Sequence, residues 1–155
     1  MLVAEIAPRL RRYVLGDTDS EAIFYVFLTH LQQHGPLGRR HSIDDVVAAL
    51  RSTITRVREV CDGSHADSKA LLSMIVTDGD TMAATRGGKE LFWSTYKTRC
   101  ADRDTCPSLT AECEAPSKTS FVNHLIFSSE PRQGEKIWEE QEDGSYRITG
   151  TKIFI

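Results

Sequence analysis

The chain has 155 residues, of which 40% are hydrophobic and 26% charged, enough for one domain with a core of its own. A formal net charge of -3 and a pI near 5.9 argue against a phosphate-binding surface, so no nucleic-acid partner is expected. No apolar stretch approaches the roughly 20 residues that span a bilayer, and the amino terminus lacks the apolar run of a signal peptide, so a cytoplasmic protein with reduced thiols and no membrane partner is expected.

The first segment, Met1 to Val14, carries Ile6, Leu10, Tyr13 and Val14 on a partial stripe. Pro8 predicts the start of a short helix and a break before it. Next comes Gly16-Asp17-Thr18-Asp19-Ser20-Glu21, an acidic cluster ahead of an apolar run. Thr18 and Glu21 fit a capping box, in which the Thr18 hydroxyl accepts from the Glu21 amide and the Glu21 carboxylate accepts from the Thr18 amide. The helix that follows is marked by Ile23, Phe24, Phe27, Leu28 and Leu31, and Gly35-Pro36 stops it. Asp19 then occupies the first helical position. Two roles are open to it there: an acid favoured by the helix dipole, or a carboxylate presented to an ammonium group.

His30 and His34 are four residues apart and could share a metal, but no HExxH-type carboxylate accompanies them, and histidines near a helix C-terminus are favoured by the dipole. A third helix is expected from Ser42, with Asp44 and Asp45 in its first turn. Ile43, Val46, Val47, Leu50, Ile54 and Val57 would share one face, with a stop near Gly63. Cys61 falls at the end of that helix, where the dipole disfavours a thiolate, and reads as packing.

Turn chemistry then announces strands. Asp78-Gly79 and Gly87-Gly88 separate apolar runs, so Leu71 to Thr77, Thr81 to Arg86 and Glu90 to Tyr96 read as an antiparallel meander. Lys97 to Thr119 is polar, holds Pro107 and Pro116, and reads as a surface loop or insertion. Its Cys100, Cys106 and Cys113 are separated by 6 and 7 residues, which match neither a CxxC pair nor a zinc knuckle. Phe121 to Ser128, Ile137 to Glu139, Ser145 to Ile148 and Lys152 to Ile155 supply further strands, with Asp143-Gly144 and Thr149-Gly150 as turns. Helices followed by strands give an α+β class, with helices packed on an antiparallel sheet in a single domain over 1–155.

Four segments in order carry a family resemblance: Asp17-Thr18-Asp19-Ser20-Glu21; Leu71 to Gly79 followed by Ala83-Ala84-Thr85-Arg86; Ser128-Ser129-Glu130-Pro131; and Trp138 a short interval later. Together they resemble class II glutamine amidotransferases, and most the subgroup of the ergothioneine-pathway amidohydrolase and the glutathione-degrading amidotransferase subunit. The resemblance runs from about Met1 to Ile155. It implies the four-layer αββα sandwich of N-terminal-nucleophile hydrolases, no cofactor, no metal, and hydrolysis of the side-chain amide of glutamine or a γ-glutamyl compound. In such enzymes an amino-terminal cysteine is the nucleophile and its free α-amino group the base. An Asn-Gly pair forms the oxyanion hole and an arginine holds the substrate carboxylate.

Those parts lie upstream of the acidic segment in the family, and only 18 residues precede Asp19 here, so this sequence is expected to hold the later portion of the domain and no catalytic residue. Asp19 is the expected substrate-binding residue, receiving the α-ammonium group. A sheet lacking its companion would leave an apolar face open, to be covered by a protein partner, a second copy or further chain. Three readings follow: part of an amidotransferase, an inert binding or scaffolding subunit on the same fold, or a small α+β interaction domain outside the family.

Overall fold

The computed structural model describes residues 2–62, 69–119 and 122–130, and the backbone of 139–140 and 148–149. Contacts divide the chain into two compact units, Met1–Gly88 with Ser145–Ile155, and Lys89–Gly144.

In the first unit a 3-10 turn over Leu2–Glu5 precedes α1 (Pro8–Arg11), which starts on its proline as expected. The turn before Pro8 was not expected; it forms because the proline ring bars only continuation of an α-helix through it. α2 (Asp19–Leu31) begins at the Thr18 cap, whose hydroxyl accepts from the Glu21 amide at 3.3 Å, and runs on as a 3-10 turn over Gln32–His34. Gly35, at φ 143°, supplies the backbone that ends it. α3 (Ile43–Cys61) opens on a complete capping box: the Asp45 amide donates to Ser42 Oγ, and the Ser42 amide to Asp45 Oδ2, each at 3.1 Å. The expected stop at Gly63 lies outside the described residues.

α3 buries Ile43, Val46, Ala49, Leu50, Thr53 and Val57, the three-and-four spacing of one helical face. α2 departs from expectation. It buries Ala22, Val26, Phe27 and Leu31, while Phe24 is 48% exposed. The helix is apolar nearly all round from Ala22 to Leu28, so periodicity alone does not choose its inward face, and two neighbours choose it instead. Val26 packs with Ile6 and Leu10 of the amino-terminal segment. Phe27 and Leu31 join Ile43, Val46, Ala49 and Leu50 of α3, together with Ala83, Met74 and Val76.

Those last three belong to a sheet in the order β1-β2-β6, formed by β1 (Met74–Thr77), β2 (Thr81–Thr85) and the later β6 (Ile148–Thr149). β1 and β2 form the expected hairpin, with Ile75 opposite Ala84 and Val76 opposite Ala83. Asp78 Oδ1 accepts from the amides of Asp80 and Thr81, and Gly79 sits at φ 99°. Because side chains alternate, Ile75 faces away from the helices and is 47% exposed.

The expected three-stranded meander is not formed. β3 (Phe92–Ser94) leaves β2 and pairs with β4 (Ile126–Ser128) and β5 (Glu139–Glu140) in a second antiparallel sheet, ordered β4-β3-β5, within the second unit. The reason lies at Gly87. Its carbonyl accepts from the Leu72 amide at 2.5 Å, its amide donates to Ser73 Oγ at 3.1 Å, and a Cβ there would meet the Leu72 carbonyl oxygen at 2.5 Å. The glycine serves a close passage of two backbones, not a hairpin turn. In the segment 97–119 the backbone is a run of turns with one 3-10 turn, Ala111–Cys113. The start of the expected strand at Phe121, the residues Pro131, Ile137 and Trp138, the Asp143-Gly144 turn, Ser145 to Arg147, Gly150 and Lys152 to Ile155 lie outside the described residues. The protein is α+β, and among the described residues no helix is long and apolar enough to cross a membrane.

Candidate functional site

The amino end of α2 is the place where the sequence concentrates unexplained chemistry. A helix begins with amides that have no intrahelical acceptor, and the residues ahead of it must supply acceptors. Thr18, in extended conformation at φ -78° and ψ 145°, supplies one to Glu21. The second half of the expected capping box takes another form. The Glu21 carboxylate reaches past Thr18, with Oε1 accepting from the Leu15 amide at 2.9 Å and Oε2 from the Gly16 amide at 2.7 Å. A glutamate side chain is long enough to reach two successive amides of a folded-back loop, and binding both with one carboxylate satisfies more donors than the single Thr18 amide would.

Asp19 stands at the first position of α2, exposed, as expected. Its Oδ1 accepts from the Ser20 amide at 2.7 Å, with the Ser20 hydroxyl at 3.4 Å. No hydrogen bond to its Oδ2 is made among the described residues. The result is an exposed carboxylate with one oxygen held and the other unbonded among the described residues, near the exposed Asp17 and Leu15, the latter 91% exposed. Such a group accepts hydrogen bonds and donates none, and it accepts most strongly from a cation.

The other sequence candidates are placed as follows. His30 lies in the last turn of α2, where burial, and then the nearby Arg56, hold its pKa below the ordinary value. His34 turns away to Asp45, Nδ1 to Oδ1 3.4 Å. Asp45 is itself held below the carboxylate range by the Ser42 side chain and amide. Among the described residues no three His, Cys, Asp or Glu side chains gather as metal ligands. Cys61 is half-buried at the end of α3. Ser128 closes β4, its hydroxyl accepting from the Glu130 amide at 3.2 Å.

Two features were missed from the sequence. His41 is 6% exposed, with Nε2 3.2 Å from the Pro36 carbonyl oxygen and Nδ1 without a partner among the described residues. In the second unit the buried Cys113 sulfur accepts from Asn123 Nδ2 at 2.7 Å and from the Thr110 amide at 3.4 Å. Neither carries a periodicity that a linear reading could detect; the Asn123 contact joins residues ten apart in sequence.

Comparison with protein-family models, with curated proteins and with solved structures finds no match to this chain.

Proposed function

We propose that these residues form part of a class II glutamine amidotransferase-like domain, in which Asp19 receives the α-ammonium group of glutamine or of a γ-glutamyl compound. The observation that carries this reading is the state of Asp19: exposed at the start of α2, Oδ1 held by Ser20, Oδ2 unbonded among the described residues, on a helix end tied down by Thr18 and Glu21. An α-ammonium offers three donors, and its hydrogen bond to a carboxylate is charge-assisted. The helix end adds little to an ammonium by itself, since its own partial charge is positive; the carboxylate is what makes the position attractive.

In the complete form, a cysteine thiolate attacks the side-chain amide carbon, the C–N bond breaks with a proton delivered to the leaving ammonia, and water then hydrolyses the thioester. The four cysteines here, Cys61, Cys100, Cys106 and Cys113, are all internal to the chain, and none has a free α-amino group to act as its base. The part played by these 155 residues is accordingly binding and orientation, and the chain by itself is expected to release no ammonia from glutamine. The packing of α2 and α3 on one face of the antiparallel sheet is an α+β arrangement compatible with the αββα sandwich that the reading requires. A cytoplasmic location follows from the same reading.

The test is ammonia release from L-glutamine by the full-length protein as its own cell makes it. Asp19→Ala should abolish release while changing folding stability by only about 0.5 kcal/mol, the scale of a lost helix-end charge. Retained release would remove Asp19 from the site.

One observation favours a second reading, a non-catalytic scaffold on the same fold. Ile75 is 47% exposed on the face of β1 turned away from the helices, on a strand at the edge of its sheet. A protein partner or a second copy could cover that face. A monomeric, glutamine-hydrolysing protein in solution would dismiss it.

A further inference from the structure

Glu21 uses both oxygens of its carboxylate on the chain that precedes its own helix, and the consequence reaches Asp19. Two closed rings share Glu21. The smaller is closed by the Glu21 amide on Thr18 Oγ1 at 3.3 Å, and the larger by the carboxylate on the amides of Leu15 and Gly16 at 2.9 and 2.7 Å. Asp19 lies inside both. Its only side-chain partner among the described residues is the adjacent Ser20, which moves with it and cannot anchor it to anything else. The direction of the Asp19 carboxylate is therefore set by the two rings. Without them the first turn of an exposed helix frays, and a carboxylate at its first position loses a fixed orientation.

Gly16 leaves room for the larger ring, and a side chain there would make the flexible Glu21 carboxylate shift. A Cβ at this position would lie 2.7 Å from Glu21 Oε2, closer than a side chain can approach that atom. Only glycine lets the carboxylate seat on that amide without displacement.

We infer that Glu21 is a positioning residue, which by binding the Leu15 and Gly16 amides holds the Asp19 carboxylate in the orientation that meets the substrate α-ammonium. This rests on the reading of Asp19 given under Proposed function. A substrate whose affinity depends on that orientation should lose it when the clamp is opened, whereas a substrate without an ammonium should not notice.

The experiment compares kcat/KM for L-glutamine with kcat/KM for glutaramate, the same molecule with hydrogen in place of the α-ammonium, in the full-length protein. Asp19→Asn should remove the preference for glutamine. Glu21→Ala should reduce that preference about tenfold, chiefly through KM for glutamine, the scale of one imperfect charge-assisted hydrogen bond. Gly16→Ala, which leaves Glu21 in place but pushes its carboxylate off the amide, should reduce it in the same direction. If Asp19→Asn removes the preference while Glu21→Ala and Gly16→Ala lower both substrates alike, Glu21 is merely structural and the inference fails alone. If Asp19→Asn leaves the preference intact, or the protein hydrolyses neither compound, the substrate reading itself fails and takes this inference with it.

Discussion

Arg56 of α3 grips Glu5, fifty-one residues earlier, in a two-pronged ion pair: Nε lies 2.6 Å from Oε2 and Nη2 2.9 Å from Oε1. The same guanidinium reaches Glu59 through Nη1 at 3.0 Å. Parallel hydrogen bonds between a planar guanidinium and a carboxylate fix orientation as well as distance, so this pair pins the amino-terminal turn to α3.

The pair sets a pH dependence. The hydrogen bonds from Arg56 hold Glu5 below its ordinary value of 4.5, against the opposing effect of burial. A carboxyl depressed in the folded state contributes stability that is fully present above its unfolded value and is lost as pH falls through its folded value. Melting of the wild type and of Glu5→Gln, followed from about pH 7 to about pH 3, should show a gap that is widest at neutral pH and closes below 4.5. A gap of constant size across that range would mean that the ion pair does not form.

The inward face of α2 gives a second prediction, in which the smaller side chain matters more. Val26 is fully buried with Ile6 and Leu10, whereas Phe24 is 48% exposed, its ring edge-on to Tyr25 and tilted to Phe27 with centroids 5.6 and 6.5 Å away. Val26→Ala removes buried methyls and leaves a cavity, at a cost of about 2.5 kcal/mol. Phe24→Ala should cost under about 1 kcal/mol. Urea unfolding of the two variants decides it, and the reverse order would restore the face read from periodicity.

These two residues also show where the sequence was legible. Thr18 and Ser42 mark the starts of α2 and α3, and Asp78-Gly79 marks the β1-β2 turn, because caps and turns are local chemistry written in adjacent residues. The face of α2 was not legible, since a helix apolar on most sides is oriented by its neighbours. Nor was Gly87: a glycine needed for a close passage past Leu72 looks the same in a linear chain as one needed for a hairpin. At the candidate site, the position of Asp19 could be read from the cap ahead of it, while the ligand proposed for it has no local signature in the sequence. The two amides bound by Glu21 required the loop to be seen folded back.

The glycines offer a third test, because two of them are needed for different reasons. At Gly87 an added Cβ would meet backbone atoms of Leu72 at 2.5 and 2.6 Å, and backbone cannot swing aside as a flexible side chain can. At Gly79 nothing lies within 4 Å, and the demand comes only from φ 99°. Gly87→Ala should cost on the order of 2 kcal/mol or more through displaced backbone, and Gly79→Ala about 1 kcal/mol. Asparagine tolerates positive φ better than alanine, so Gly79→Asn should recover part of the loss while Gly87→Asn recovers none. Equal rescue at both positions would show that conformation, and not close approach, governs Gly87.

Cys113 supplies the last prediction. Burial opposes ionisation of its thiol, yet donors from the Thr110 amide, the Asn123 side chain and the Thr110 hydroxyl, with Lys97 nearby, outweigh burial and hold the pKa below the ordinary 9.0. Hydrogen bonds received by a sulfur favour its charged form, so removing a donor must move the pKa up. The shortest of these contacts is Asn123 Nδ2 at 2.7 Å, and the same amide group also donates to the Ser108 carbonyl at 3.0 Å. Asn123→Leu removes both bonds while keeping a side chain branched at the same carbon. Following the carbon-13 shift of the Cys113 β-carbon against pH separates this thiol from the other three cysteines. The titration midpoint should rise in the variant relative to the wild type. An unchanged midpoint would mean that the Asn123 contact does not polarise the sulfur, and would leave burial as the force that keeps Cys113 protonated.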